Sequence, residues 1–502
     1  MKLPTRSLLC IALASGVAAS SPAAASAVRE KQGETVRRVA SGRDAKSSEL
    51  HQALLVAEPI RGAGRVLRVT LTAAEKASAE PAGAGRYRVG VSKPVGVVLD
   101  FSRHDLPFGA RESRVDGGVT WLGVVRSPGA SALRLSFSPL DLPEGAELFV
   151  YGPDRQAFGP YGGRGPVDDR QLWSHTIWGD ETRVQLRLPA GRTRARLTLA
   201  AVGYLGSAFP SALGRGIQSF CPANAPCVVN AACASIPGAI QTARDAVADM
   251  LFASGGFFYL CTGGLLADSD AGSTVPYFLT ANHCISRSGE ASSLETYFDY
   301  ETSCNSPNCS APYDENPRNP DTLGALIKST NRTGDYTLLQ LSSVPDSNDG
   351  VETYLGWSTA AVANSNGVPL YRISHPQGSP QAYSEQDVDT SKTTCGSWPR
   401  GDWIYSRDTL GATEGGSSGS PVMNGSGQVV GQLSGACGFN VNDPCDAEAN
   451  ATVDGAFANY FDEVAAFLAG GGQCKPKGQS CTLNSECCSN SCKGKPGVKT
   501  CK

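Results

Sequence analysis

Residues 414–421 read Glu-Gly-Gly-Ser-Ser-Gly-Ser-Pro, and this stretch decides how the rest of the chain is interpreted. A nucleophilic serine needs its hydroxyl on a tight loop, with backbone N–H groups aimed at the developing oxyanion. Gly416 and Gly419 let the backbone around Ser418 bend and let a substrate approach. Gly/Ser strings are usually linkers, but strand-like segments flank this one and favour a nucleophile loop.

A histidine and an aspartate precede this loop, each at the end of an apolar segment. Residues 278–284 read FLTANHC, and a strand that ends at His283 makes this residue a candidate general base, in a chain with only 5 His. A Cys261–Cys284 disulfide would fix the histidine loop. Asp335 opens the alternating segment 335–341, where it would hold the His283 tautomer, although alone it would suggest only a surface turn. The chain order His, Asp, Ser is one in which such triads occur.

The whole chain indicates an exported, multidomain, all-β protein. Its 502 residues suit two or three domains, and 57 Gly with 31 Pro favour turns and short strands. Residues 1–27 resemble a signal peptide, with Lys2 and Arg6 before an apolar run and Ala-Ser-Ala at the end. The rival interpretation, a membrane anchor, is disfavoured because the apolar run is short. We therefore expect secretion and no membrane partner.

Cysteine usage and charge divide the mature chain. Sixteen of the 17 Cys lie between 221 and 501, which predicts disulfides. Zinc is disfavoured because only His283 and His375 lie in this part, without finger-like spacing, so no metal or cofactor is expected. Residues 28–220 carry 27 Lys and Arg against 19 Asp and Glu, and residues 221–470 carry 9 against 27. Residues 28–220 are therefore basic and residues 221–470 are acidic. One interpretation is that the acidic surface keeps the protein soluble. The other is that the basic part covers the acidic part before maturation, helped by the opposite charge.

Strand-like segments fill both halves of the chain. One group alternates or runs apolar between turn signals, and residues 456–468 instead have helical periodicity. The predicted strands are 95–101, 131–137, 147–151, 183–188, 194–202, 257–260, 277–279, 336–341, 369–373 and 429–433.

Residues 221–470 resemble the trypsin-like serine peptidases, and among them the bacterial lysyl endopeptidases. The resemblance rests on FLTANHC at 278–284, GDYTLLQL at 334–341, LGWS at 355–358, ISHP at 373–376, TEGGSSGSPV at 413–422 and GQLSG at 431–435. Segments within 120–190 resemble the pro-region of such secreted enzymes. The resemblance implies that Ser418 is the acylated nucleophile, His283 the acid and base, and Asp335 its orienting partner. It also implies an oxyanion hole from the N–H groups of Gly416 and Ser418.

The same resemblance suggests the substrate contacts. Ser434 and Gly435 would pair with the substrate backbone. Where lysyl endopeptidases carry a pocket Asp, this chain has Thr452, and Ala412, six residues before Ser418, is also uncharged. With Ala436 and Thr452 narrowing the pocket, we expect small or medium uncharged residues before the cleaved bond. A two-residue shift would instead put Asp454 in the pocket and restore Lys/Arg preference. His375 matches a family position without catalytic role and is expected to be structural.

By analogy, Cys227 or Cys221 would pair with Cys437, and Cys233 with Cys304 or Cys309. The tail resembles an inhibitor cystine knot, which would pair Cys474–Cys488, Cys481–Cys492 and Cys487–Cys501. Its six Lys would suit an anionic surface or polymer, or would only solvate a stabilising cap.

The predicted architecture is therefore two six-stranded antiparallel β-barrels, preceded by a β-sandwich pro-domain and followed by a small disulfide-rich knot. The predicted segments are a signal peptide (1–27), a loosely ordered leader (28–90), the pro-domain (91–205), a linker (206–220), the protease (221–470) and the tail (471–502). The exposed basic break Gly214-Arg215-Gly216 in the linker is expected to be a processing site, and the alternative is an uncut interdomain linker. The expected function is a monomeric serine endopeptidase acting on proteins or peptides, with its own pro-region as intramolecular partner and no nucleic-acid partner. The rivals are a catalytically dead binding protein on the same fold, and a toxin or inhibitor in which the tail has the main role.

Overall fold

The computed structural model describes residues 31–39, 47–56, 64–81, 86–103, 105–153, 156–192, 194–207, 209, 224–270, 272–304, 320–345, 351–469, 478–481, 492–495 and 498–501. The expected signal peptide and the Gly214-Arg215-Gly216 break lie outside these residues. The chain is mostly β, with 44% of residues in strands and 12% in helices. No helix in the described ranges is long and apolar enough to cross a membrane.

The N-terminal part consists mainly of short strands. They are β1 (Gln32–Gly33), β2 (Val36–Val39), β3 (Leu67–Arg68), β4 (Tyr87–Asp100), β5 (Ala110–Ser113), β6 (Val119–Arg126), β7 (Ala132–Phe137), β8 (Glu147–Tyr151), β9 (Ala157–Tyr161), β10 (Leu172–Trp173), β11 (Ile177–Trp178), β12 (Glu181–Leu188) and β13 (Arg196–Leu205). Two helices, α1 (Ser47–Val56) and α2 (Ala73–Ser78), precede β4.

Two sheets of this part share one hydrophobic core. One has the order β10-β7-β13-β4, and the other has the order β3-β6-β12-β8-β9. In β12, the buried residues Val184, Leu186 and Leu188 alternate with Arg183, Gln185 and Arg187, because successive side chains of a strand point to opposite faces. They pack in a cluster with Trp121 of the same sheet and with Leu135 of the other.

The C-terminal part contains the remaining strands. They are β14 (Val229–Asn230), β15 (Val247–Ser254), β16 (Phe257–Leu266), β17 (Tyr277–Ala281), β18 (Glu295–Tyr297), β19 (Thr322–Leu323), β20 (Ala325–Asn331), β21 (Tyr336–Leu341), β22 (Val351–Tyr354), β23 (Trp357–Ser358), β24 (Pro369–Ser374), β25 (Ala382–Val388), β26 (Trp403–Leu410), β27 (Pro421–Met423), β28 (Val429–Gly438), β29 (Asn450–Ala456), β30 (Cys492–Lys495) and β31 (Val498–Cys501). The helices here are α3 (Gly238–Ala243), α4 (Ser288–Ser292) and α5 (Phe457–Leu468).

One closed barrel is present in this part. Its six strands pair antiparallel in the cycle β24-β25-β26-β29-β28-β27 and back to β24. The strands β15 to β21 form a second sheet in which β16 pairs with β15 and β17, and β17 pairs with β21. This sheet continues into the N-terminal part because β4 pairs with β16. Closure of a second barrel therefore stays a prediction.

The leader is more ordered than expected. Residues 31–39 contribute β1 and β2, which pair with β23 and β22. The mostly buried Arg38 lies 3.3 Å from the Asp268 carboxylate. β4 begins at Tyr87, inside the range assigned to the leader. The expectation of a loosely ordered leader is wrong for these residues, because strand pairing to distant segments cannot be read from local composition.

The cysteine pairs partly differ from the expected ones. Among the described residues the disulfides are Cys227–Cys445, Cys233–Cys304, Cys261–Cys284 and Cys395–Cys437. Pairing of Cys437 with Cys227 or Cys221 is wrong, since β28 lies beside the segment that carries Cys395. In the tail, Cys481 and Cys501 are disulfide-bonded, and each expected knot pair includes a cysteine whose side chain lies outside the described residues.

Candidate active site

The loop that carries Ser418 has a backbone that requires glycine at two positions. Gly416 and Gly419 have φ angles of 98° and 84°, in the left-handed region that glycine adopts at low cost. A Cβ atom on Gly416 would lie 2.8 Å from the His375 carbonyl oxygen, and one on Gly419 would lie 2.2 Å from Thr280 Oγ1. The loop is thus packed closely against its surroundings, and Ser418 itself is buried.

Strand β16 holds this loop from the neighbouring sheet. The N–H of Thr262 donates to the Ser418 carbonyl at 2.8 Å, and its hydroxyl donates to the Gly416 carbonyl at 2.9 Å. On the other side, the N–H of Gly419 donates to the Leu433 carbonyl at 2.8 Å. The loop is thus hydrogen-bonded both to the sheet of β16 and to the barrel strand β28. The position of Ser418 therefore depends on how this sheet and the barrel pack together.

Strand pairing brings His283 and Asp335 together. His283 follows β17 and Asp335 precedes β21, and these antiparallel strands are in register at Ala281 and Tyr336. Asp335 has a φ of 48°, and its carbonyl accepts from the N–H of Asn282 at 2.9 Å. Both residues therefore leave their strands at the same end of the sheet.

Both oxygens of the Asp335 carboxylate contact His283. Oδ2 lies 2.8 Å from Nδ1, and Oδ1 accepts from the His283 backbone N–H at 2.8 Å. This arrangement assigns the proton of the neutral ring to Nδ1, so that Nε2 carries the free lone pair. Nε2 has no hydrogen-bond partner within the described residues. Catalytic hydrogen bonds are often long before a substrate binds, so the free Nε2 is compatible with a role toward Ser418.

Two backbone N–H groups of the nucleophile loop have no hydrogen-bond acceptor among the described residues. In the described part of the chain, the N–H groups of Gly416 and Ser418 donate no hydrogen bond to another protein group. Buried N–H groups usually have partners, so two free ones on a single tight loop indicate a site for an anionic oxygen.

A cavity of about 770 Å³ lies beside this group. Its lining includes His283 and Asp335 together with Ser434, Trp398 and Trp403. The Ser434 hydroxyl is buried without a hydrogen-bond partner in the described part, and a Cβ on Gly435 would lie 3.5 Å from the Trp398 ring. Two of the predicted substrate contacts, Ser434 and Gly435, are thus close to this cavity.

The predicted specificity residues are spread more widely. Ala436 is exposed and pairs with Thr452 across β28 and β29. Ala412 is buried, but it packs with Val228 and Ala382 in a small separate cluster.

Asp454 is not available to a substrate. Its side chain has no exposure, and Oδ1 lies 2.6 Å from Nη2 of the equally buried Arg372. The alternative that placed Asp454 in the pocket as a free charge is therefore wrong, because an arginine from β24 already neutralises it.

Asp408 is an acidic residue that the sequence reasoning missed. The Thr452 hydroxyl lies 3.0 and 3.1 Å from its two carboxylate oxygens. Burial raises the pKa of Asp408 from 3.8 to about 6. Within the described residues no ion pair joins it to a cation. Only the register of β26 against β29, with Ser406 opposite Thr452, reveals that these two residues meet.

The backbone of His375 packs against the nucleophile loop at Gly416, and the structural role expected for its side chain stays a prediction. His375 is fully buried, its Nδ1 lies 3.0 Å from the Ser379 carbonyl, and its ring stacks on Tyr300 at 5.5 Å.

Two family models match the chain. The lysyl endopeptidase C-terminal domain matches residues 222–448, and the lysyl endopeptidase N-terminal domain matches residues 114–202. The chain is a serine endopeptidase. The first match contains His283, Asp335 and Ser418, and the second contains most strands of the N-terminal part.

Solved protease structures resemble the endopeptidase only distantly. The active form of the Rv3671c protease from M. tuberculosis is 16% identical, covers 50% of this chain and 93% of its own, and has a TM-score of 0.32. The HtrA-type protease AlgW with a tripeptide is 15% identical, covers 46% and 62%, and has a TM-score of 0.31. A serine endoprotease from Yersinia pestis is 15% identical, covers 45% and 63%, and has a TM-score of 0.28.

Proposed function

We propose that the chain is the secreted precursor of a trypsin-like serine endopeptidase that cleaves proteins through an acyl-enzyme. The observation that carries this proposal is the pair His283–Asp335. The carboxylate holds Nδ1 at 2.8 Å and leaves Nε2 free, beside a serine loop with two free N–H groups. A base with one open nitrogen and a pair of unused donors is what acyl transfer requires.

Each residue has a separate task in this reaction. The Ser418 hydroxyl attacks the substrate carbonyl while Nε2 of His283 takes its proton, and Asp335 stabilises the resulting imidazolium. The N–H groups of Gly416 and Ser418 bind the oxyanion. His283 then protonates the leaving amine, and water hydrolyses the acyl-enzyme by the same steps. The chemistry uses no group beyond these side chains and amides.

For the residue before the cleaved bond, we propose a small or medium uncharged side chain. Thr452 and Ala436 face each other across the strands expected to form the pocket, and the charge of Asp454 is neutralised by Arg372. A second candidate preference, for Lys or Arg, is favoured by Asp408, whose carboxylate contacts Thr452 without an ion-pair partner in the described residues. A charged pocket residue discriminates by several kcal/mol, so the two candidates give very different cleavage patterns.

For the precursor, we propose that residues 28–205 remain on the protease until cleavage within 206–220. The contacts between the two parts support this proposal. Arg134 of β7 and Glu295 of β18 form an ion pair with no solvent exposure, and Thr176 donates to Glu295 through its N–H and its hydroxyl at 2.7 and 2.6 Å. The disulfides of the protease part suit an oxidising, extracellular environment.

The test is labelling of the secreted protein with a fluorophosphonate, for wild type and Ser418→Ala, followed by a peptide-library digest. We expect labelling of the wild type only, and a digest that selects one side-chain class before the cut. Asp408→Asn serves as the matched variant: loss of Lys/Arg cleavage would favour the second candidate, and an unchanged pattern the first. A folded wild type that is neither labelled nor active would refute the enzyme proposal in favour of a binding protein.

A further inference from the structure

A strand of the N-terminal part ends beside the catalytic histidine. β4 pairs antiparallel with β16, with Val91 opposite Phe257 and Tyr87 opposite Leu260. The residue after Leu260 is Cys261, whose disulfide partner Cys284 directly follows His283. The start of β4 therefore lies next to the loop that carries the base.

Arg86, immediately before β4, lies at the cavity of the active site. Its side chain lines that cavity together with His283 and Asp335. Nη1 donates to Ser254 Oγ at 3.1 Å and reaches the Cys284 carbonyl at 3.5 Å. The guanidinium also lies 4.2 Å from the centre of the Tyr259 ring. These contacts fix a residue of the N-terminal part inside the cleft of the protease.

Tyr87 follows Arg86 and lies opposite Leu260, one residue before Cys261. It is partly buried, and burial raises the pKa of its hydroxyl, with a further contribution from the Glu414 carboxylate. Glu414 opens the nucleophile loop, and its carboxylate accepts from Asn224 at 2.8 Å and from Gln377 at 3.0 Å. Tyr87 lies opposite Leu260 of β16 and packs against the core that Leu260 shares with Val89.

The direction of β4 is that of a substrate segment after the cleaved bond. During catalysis His283 gives a proton to the leaving amine, so the leaving segment begins beside His283 and continues away from it toward its C-terminus. β4 begins beside His283 and, because it is antiparallel to β16, also runs away from it in the N-to-C direction. An extended peptide that adds to a sheet edge binds through the same main-chain pairing.

We propose that residues 86–91 occupy the leaving-group half of the substrate cleft in the uncut chain. The edge of β16 at residues 257–260 is then the surface that binds the residues after the cleaved bond of an extended peptide substrate, once β4 has moved away. The inference rests on the proposed function and extends it to this half of the cleft.

Residues 86–91, which would compete with a substrate for the β16 edge, belong to the folded N-terminal part. The remainder of β4 pairs with β13, from Gly90 opposite Leu205 to Asp100 opposite Arg196. Val89 and Leu205 share a core with Leu251, Phe258 and Tyr297 of the protease part. A segment held in this way competes at a high effective concentration, so a free peptide of similar affinity would not displace it.

The test compares two substrates on the full-length chain in which 206–220 is intact. Both carry the same residues before the cleaved bond, chosen from the library digest. One is a p-nitroanilide, which has only the p-nitroaniline leaving group and no amino acid beyond the bond, whereas the other continues for four residues. Arg86→Ala and Tyr87→Ala weaken the hold of β4, and Arg114→Ala is the matched control, since Arg114 pairs with Asp116 on the other sheet of the N-terminal part.

We expect Arg86→Ala and Tyr87→Ala to raise kcat/KM on the extended peptide about tenfold, as removal of a competing segment raises apparent affinity. The value for the p-nitroanilide should rise by a clearly smaller factor, so that the ratio of the two values increases, because this substrate does not need the β16 edge. Arg114→Ala should change neither. If Tyr87→Ala does not fold, the result for Arg86→Ala is sufficient. Arg86→Ala is expected to fold because it removes a partly exposed, polar side chain.

Two outcomes would overturn the inference. One is a parallel change in both substrates. The other is a wild-type full-length chain that prefers the extended peptide over the p-nitroanilide as strongly as the Arg86→Ala chain does. Failure of the proposed function is distinguishable, since the p-nitroanilide would then not be hydrolysed by any variant and Ser418 would not be labelled.

Discussion

Nη2 of Arg372 lies 2.6 Å from Oδ1 of Asp454, and neither side chain is exposed to solvent. The other terminal nitrogen, Nη1, donates to the Ser420 carbonyl at 3.0 Å, and Gln386 donates to the second Asp454 oxygen at 3.3 Å. The ion pair therefore crosses the interior of the closed barrel and reaches the loop that carries Ser418. An acid that the sequence alone presents as a specificity residue is instead part of the barrel's internal structure.

Removal of this acid should destabilise the protein. Asp454→Ala leaves a buried arginine without its carboxylate, and breaking one partner of a buried pair typically costs about 3–5 kcal/mol. Thermal unfolding followed by circular dichroism is the measurement. The control is Glu448→Ala, which breaks the exposed pair with Arg407 and should change stability by less than about 1 kcal/mol. Equal effects of the two substitutions would contradict the prediction.

Replacement of the orienting carboxylate should abolish most activity without unfolding the chain. In Asp335→Asn, the amide can no longer accept from both Nδ1 and the backbone N–H of His283, so the ring loses the tautomer that leaves Nε2 free. In triads of this type the loss in kcat is about 10⁴-fold. The measurement is kcat on the p-nitroanilide. Its control is an unchanged melting temperature, and a loss below about tenfold would show that Asp335 does not orient the base.

The sequence identified the parts of the site that are local in the chain. His283, Asp335 and Ser418 are predicted from the sequence because each lies at the end of an apolar strand or within a glycine-rich loop, and the structure brings the first two into contact. The periodicity of residues 456–468 also predicts the helix α5, with Phe457, Tyr460, Phe461, Val464 and Phe467 on one face; the first four are buried and Phe467 is partly buried.

The sequence did not identify what depends on strand register between distant segments. Asp408 and Thr452 are 44 residues apart, and only the pairing of β26 with β29 brings them together. The pairing of β4 with β16 joins segments more than 160 residues apart, and no local pattern specifies it. The neutralisation of Asp454 was missed for the same reason, since Arg372 lies on a strand 82 residues earlier.

Asp408 should make stability depend on pH between about 4 and 6. Its pKa is raised by burial from 3.8 to about 6, so in this range the folded chain holds a proton that the unfolded chain has lost. This contribution to stability is fully present below pH 4 and is lost as the pH rises through 6. The melting temperature of wild type should fall over that window relative to that of Asp408→Asn, which carries no titrating group at this position. A constant difference between the two from pH 4 to pH 7 would contradict the raised pKa.

Thr262 should position the oxyanion donors without contacting the substrate. Its hydroxyl donates to the Gly416 carbonyl at 2.9 Å and accepts from the His375 N–H at 3.1 Å, so it fixes the peptide planes next to the free amides. Thr262→Val keeps the shape of the side chain but removes both bonds. Removal of a direct oxyanion donor costs about 10²–10³ in kcat, and loss of an indirect support should cost less, on the order of tenfold, with little change in KM. The control is Thr296→Val, which breaks a buried bond to Thr322 in the strands β18 and β19. If both variants lose the same stability but only Thr262→Val loses kcat, the hydroxyl acts on the oxyanion loop; equal kcat in both would assign it a purely structural role.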